Sequence, residues 1–179
     1  MLASACRPAS ASPEDAALDA LRKRVENIRL DLDSVEVHQT KNMGDYVFVQ
    51  ITYQGLDVLG QMQVCETVEA VQPVSGGWSS TGGGSSCYTG PVPDEPASVS
   101  AGSFGSGNSG LSYVSGIVND PEVASIEIVW GDGVVETVEI ENESFLAVRQ
   151  GQQDYRLVRV LDTSGGQLQV IRGGRDATK

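Results

Sequence analysis

Between Tyr113 and Arg172 the chain alternates apolar and polar residues in short runs broken by Gly and Asp, and no other feature constrains the fold as much. In residues 124–130, Ile126, Ile128 and Trp130 fall on one face and Ser125 and Glu127 on the other. A period of two marks a half-buried strand, because successive side chains leave opposite faces of the backbone. Gly131-Asp132-Gly133 turns the chain, and residues 136–140 return with Val138 and Ile140 on one side. Runs at 145–148, 155–161 and 167–171 follow, the last two joined by Asp162-Thr163-Ser164-Gly165-Gly166. Short alternating runs joined by tight turns predict antiparallel strands over a shared core. The expected fold class is mainly β, an antiparallel β-sandwich with one N-terminal amphipathic α-helix.

That helix has a clear start. Ser12 can cap it, Pro13 suits the first helical position, and Asp15 places an acid in the first turn. Leu18, Leu21, Val25 and Ile28 recur at spacings of three and four, which forms one apolar stripe. Arg22, Lys23, Arg24 and Arg29 lie off the stripe, toward the end where positive charge is favoured. Such a helix is expected to pack its stripe on a sheet; beside a membrane its basic face would also suit anionic headgroups. Strand character takes over at 35–37, with a turn at 42–45, a β-branched and aromatic run at 46–53, and a further strand at 61–71. Residues 75–86, glycine- and serine-rich around a single Trp78, read as a loop, and Cys87 closes it. Pro91, Pro93 and Pro96 lead into the Gly/Ser-rich run 101–110, which reads as a linker. The expected division is a tether at 1–12, a helix with strands at 13–90, a linker at 91–111, sandwich strands at 112–172 and a fraying tail at 173–179.

Charge narrows the function. The chain of 179 residues carries a formal net charge of −12, with acids in excess in both halves. A field of that sign repels phosphate backbones, so nucleic acid is not an expected partner. Motifs narrow it further. Gly105-Ser106-Gly107-Asn108-Ser109-Gly110 matches a dinucleotide fingerprint in letters, but a proline-rich segment feeds it and a strand follows, where that site needs a strand and then a helix. A hydrolytic triad would need His38, the sole histidine, as its base, and no Gly-x-Ser-x-Gly elbow accompanies it. His38 is expected to face solvent from a strand. Asp31, Asp33 and the 119–122 run lack the EF-hand spacing, and no Cys-x-x-Cys is present. Paired carboxylates of a glycosidase stay open among 24 acids. No catalytic, cofactor-binding or metal-ligating residue is therefore assigned, and no cofactor is expected. The first choice of binding surface is the glycine-rich segment with Trp78, an aromatic able to stack on a sugar ring or a partner, and Tyr88 one residue past Cys87. Trp78 could equally fold back as a lid on the core.

Two resemblances supply an address. Met1-Leu2-Ala3-Ser4-Ala5-Cys6 resembles the end of a bacterial lipoprotein signal, where small residues precede a cysteine that is lipidated after cleavage. Ala3 stands where that family usually has Leu, and the basic and apolar parts of such a signal would precede Met1. The resemblance implies lipidation at Cys6, export, and a membrane partner reached through the lipid. The small polar run 7–12 has the composition of a tether. With Cys6 acylated, Cys65 and Cys87 remain as a disulfide pair for an oxidising compartment; in the cytosol both would be small buried residues. Residues 113–123, 126–133, Phe145 and 160–168 are similar to a β-sandwich (Ig-like) module of secreted bacterial proteins. That likeness implies a cell-envelope setting and no activity. The expected function is a non-enzymatic, lipid-anchored surface binding or structural module whose partner is an extracellular protein or glycan. The alternatives are a secreted glycosidase-like hydrolase and an interaction subunit that pairs through an edge strand.

Overall fold

The computed structural model describes residues 9–25, 28–90, 94–105, 110–151 and 154–173. One helix, α1 (Pro13–Arg24), precedes eleven strands: β1 (Ile28–Met43), β2 (Tyr46–Asp57), β3 (Met62–Val74), β4 (Gly77–Thr89), β5 (Ser100–Phe104), β6 (Leu111–Ile117), β7 (Val123–Trp130), β8 (Val135–Val138), β9 (Ser144–Gln150), β10 (Tyr155–Asp162) and β11 (Gln167–Arg172). They form three antiparallel sheets, ordered β1-β2-β3-β4, β5-β6-β9 and β11-β10-β7-β8. The protein is mainly β and sandwich-like, with one N-terminal helix.

The alternation of the sequence explains the outer sheet of the C-terminal half. Ile126, Ile128 and Trp130 of β7, with Val158 and Val160 of β10, are buried against Val114, Phe145 and Ala147 of the three-stranded sheet. That sheet is covered on its other side as well. Leu111, Tyr113, Leu146 and Val148 face Phe48, Val68 and Ala70 of the N-terminal sheet. Strands covered on both faces lose their polar alternation, and β6 and β9 accordingly read as nearly continuous buried runs. The far face of the N-terminal sheet carries Val47, Val49, Ile51, Tyr53, Cys65 and Val71, which pack under Ala16, Ala17 and Leu21 of α1. Four layers result: helix, sheet, shared three-stranded sheet, outer sheet.

Three expectations are corrected. The helix ends at Arg24 with Val25 as its C-cap, so Ile28, placed on the apolar stripe, instead opens β1. The expected loop at 75–86 is mostly β4, paired with β3 from Val74↔Gly77 to Gln63↔Thr89. The expected linker at 91–111 contains β5, paired with β6 along its length. Space accounts for both misplaced segments. A Cβ built on Gly84 would lie 2.5 Å from the Tyr113 hydroxyl oxygen, and one on Gly102 would meet Tyr113 Cε1 at 2.6 Å and Cζ at 2.8 Å. Gly82 lies under Phe104, whose ring stacks on Tyr113 with centroids 5.5 Å apart. On the opposite face of β4, a Cβ on Gly83 would run into the Arg24 guanidinium and the Glu69 carboxylate. The tract is a strand stripped of side chains because layers press on both its faces.

Candidate functional site

Trp78 opens β4, and its position is fixed by backbone. Ser10 N–H donates to the Trp78 carbonyl at 3.2 Å, and Trp78 N–H donates to the Ser10 carbonyl at 2.9 Å. The indole packs against the core beneath α1 and also walls a cleft of about 670 Å³ between α1 and the β3–β4 hairpin. It thus caps that core and at the same time borders the cleft. Ala16 and Ala20 give the helix side of the cleft a smooth apolar surface, while Ser10, Ser75, Ser79 and Ser80 line it with hydroxyls. Cavities of several hundred Å³ with a few convergent polar groups are the usual form of a small-ligand site.

Charge in the cleft is mostly committed. Asp19 accepts a hydrogen bond from Ser10 at 3.1 Å and pairs with Arg22 at 3.5 Å. Arg24 grips both oxygens of Glu69, and Ser80 Oγ donates to that carboxylate at 3.0 Å. Burial pushes the Glu69 carboxyl above its ordinary range, and Arg24 and Ser80 pull it back. This pair ties the last turn of α1 to β3. Lys23, exposed at the rim, makes no ion pair among the described residues.

Tyr88 does not join this site. Ten residues along β4 separate it from Trp78, roughly 30 Å of strand. A register shift between Ala70 and Val71 leaves Thr81 as an extra residue on β4. The bulge reverses which way later side chains point, so Trp78 faces α1 and Tyr88 the other side. The two residues named for one binding surface therefore lie on opposite faces of the sheet. Cys65 and Cys87 stand directly opposite each other on β3 and β4, joined by a disulfide with Cα atoms 4.1 Å apart. The bond links adjacent strands where a loop closure was expected. Cys65 is buried and Cys87 exposed. Cys6 lies outside the described residues.

Sequence reasoning also missed a buried polar cluster on the other face of the same sheet. Gln50 donates to Glu66 Oε1 at 2.8 Å and to the Gly116 carbonyl at 3.1 Å. Glu66 is almost fully enclosed, and burial raises its carboxyl above the ordinary range despite the Gln50 amide. His38, expected to face solvent, is a β-bulge residue whose side chain is only 9% exposed. Its Nδ1 lies 3.0 Å from the Asn142 carbonyl and its Nε2 2.7 Å from Thr52 Oγ1. A carbonyl only accepts, so Nδ1 carries the proton, and Asn142 Nδ2 in turn donates to the His38 carbonyl at 3.0 Å. This reciprocal clasp fastens the turn Asn142-Glu143, both residues of which have positive φ. Gln39 and Lys41 of β1 donate to the Ser144 and Leu146 carbonyls on the outer edge of β9. The visible signal was the run 63–71, where Glu66 and Glu69 interrupt an apolar strand out of alternation. Three positions apart, they project to opposite faces, so these two buried carboxylates cannot flank one glycosidic bond. Among the described residues no group of three or more His, Cys, Asp or Glu is placed to hold a metal ion, and no helix is long and apolar enough to cross a membrane.

Comparison with protein-family models, with curated proteins and with solved structures found no match.

Proposed function

We propose that the protein is a non-enzymatic binding module of the cell envelope, exported and held at a membrane by a lipid on Cys6, with the Trp78 cleft as its binding site. The observation that carries this reading is the open cleft walled by an indole whose backbone is clamped to Ser10. An aromatic face held rigid in a cleft offers large contact area at little entropic cost. The Cys65–Cys87 bond suits an oxidising compartment. Cys6 precedes Ser10 by four residues, so at most about 14 Å of chain separates the lipid-bearing position from the cleft rim. The partner would thus be met close to the membrane.

The test is phase partition in detergent after expression with the natural upstream sequence in a bacterial host, followed by intact mass. The wild type is expected in the detergent phase with acyl mass on Cys6, and Cys6→Ala in the aqueous phase. Wild type recovered unacylated in the aqueous phase refutes the anchor.

A second reading, an interaction subunit, rests on β4. It is an outer strand, and from Gly77 to Thr89 it has neither charge nor proline, the residues that normally guard such an edge. Ser10 already pairs with it at one position. Strand addition there would give a concentration-dependent dimer or a captured extended peptide, visible by light scattering.

A further inference from the structure

We infer that the Trp78 cleft takes a saccharide carrying a carboxylate, a uronic-acid-type ring; this deepens the binding-module reading and rests on it. Three features of the cleft converge on that chemistry. The half-buried indole supplies a flat apolar wall of the kind on which the C–H face of a pyranose stacks. Ser75 and Ser79 supply hydroxyls able to donate and accept toward ring hydroxyls, while Ser10 and Ser80, which donate to Asp19 and Glu69, keep lone pairs to accept. The third feature is charge. The chain as a whole is acidic, at −12, yet Arg22, Lys23, Arg24 and Arg29 fall within eight residues at and beyond the end of α1. Of the cations lining the cleft, Arg24 is spent on Glu69, while Lys23 has no ion-pair partner among the described residues. Asp19, the one carboxylate among the described lining residues, is held by Ser10 and Arg22 on its own side. A neutral sugar would use the indole and the hydroxyls and leave Lys23 idle; a ring bearing a carboxylate uses all three.

The experiment is a fluorescence titration of the full chain. Trp130 is completely buried in the other core, so a change in emission on adding ligand reports Trp78. The probes are a glucuronate-containing disaccharide, its glucose counterpart of the same linkage, and vesicles of phosphatidylglycerol. The expected result is saturable binding of the acidic disaccharide at least tenfold tighter than the neutral one. Lys23→Gln should bring the two within about threefold, and Trp78→Ala should abolish the response while thermal melting still shows a folded protein. Raising the salt to half molar should weaken only the acidic probe. Equal binding of both sugars, or no effect of Lys23→Gln, overturns the acidic-ring assignment and leaves the cleft as a neutral-sugar site. Failure of both sugars with a folded wild type overturns the saccharide inference while leaving the anchor, tested separately at Cys6, untouched. Vesicle binding without sugar binding assigns the cleft to headgroups and likewise overturns it.

Discussion

Tyr113 offers a test in which the sign of a mutational effect reverses. Its hydroxyl lies over Gly84 of the N-terminal sheet, and its ring over Gly102 of its own sheet. A Cβ at position 84 would sit 2.5 Å from the hydroxyl oxygen, well inside the roughly 3.3 Å at which carbon and oxygen meet. The next atom, Cζ, would be at an ordinary 3.7 Å. Gly84→Ala should therefore cost about 1–3 kcal/mol through overpacking, less the roughly 0.4–1 kcal/mol that alanine returns by restricting the unfolded chain. Tyr113→Phe removes the one atom in the way. In that background Gly84→Ala should change sign and stabilise by about 0.4–1 kcal/mol. Gly102→Ala is the control, because its Cβ also meets Cε1 and Cζ of the ring, at 2.6 and 2.8 Å, which phenylalanine keeps. It should stay destabilising in both backgrounds. Urea melts of the six proteins, followed through the buried Trp130, give the coupling energies directly. Should Gly84→Ala cost the same with and without the hydroxyl, the close packing of the glycine strand against Tyr113 is wrong. Burial and the charges of Glu66 and Glu69 push the Tyr113 phenol up to about 12, so its protonation is constant across the neutral range in which the melts are run.

Further outcomes follow from other sites. Glu66 has its folded-state pKa raised by burial, so the stability it allows is complete below its ordinary value of about 4.5 and falls as pH rises through the folded value. Glu66→Gln, which keeps an acceptor for Gln50, should gain stability relative to wild type between pH 4 and pH 7 in paired urea melts; a gap constant with pH refutes the linkage. Reducing the Cys65–Cys87 bond, which spans 22 residues, should cost about 3 kcal/mol on loop entropy and lower the Tm by roughly 6–12 °C. An unchanged Tm in reductant, with mass confirming free thiols, would contradict that. Glu143 has φ of 55° in a turn whose two central residues both have positive φ. Glu143→Gly creates the favoured Asn-Gly pair and should stabilise by about 0.5–1 kcal/mol, read by thermal melting.

Residues 124–130, inside β7, were legible by alternation because only one face is packed in the core, and residues 46–53, inside β2 and buried on both faces, by their β-branched and aromatic content. The segment 77–89 was not legible. Its glycines have low strand propensity, and what makes them a strand is Phe104, Tyr113, Arg24 and Glu69 arriving from elsewhere in the chain. The same holds at 100–104, where Gly102 is needed only once Tyr113 is in place. Trp78 stood out as a lone aromatic, but Lys23 and the serines became its neighbours only when α1 folded over the hairpin. Tyr88 was linked to Trp78 through the presumed loop, a link that the bulge at Thr81 undoes. His38 looked solvent-facing because the bulge that turns it inward leaves no trace in alternation.

The three-stranded sheet is a party wall. Phe145 and Ala147 belong to the room on one side, Leu146 and Val148 to the room on the other, and a single strand supplies both. Its third strand, β5, comes from the glycine- and proline-rich stretch where the chain looks most divisible. Severing the polypeptide before that stretch would leave the C-terminal piece with a bare apolar side, and the N-terminal piece with Phe48, Val68 and Ala70 facing water. Neither fragment should survive unaided, whereas co-expressed they have a surface on which to reassociate.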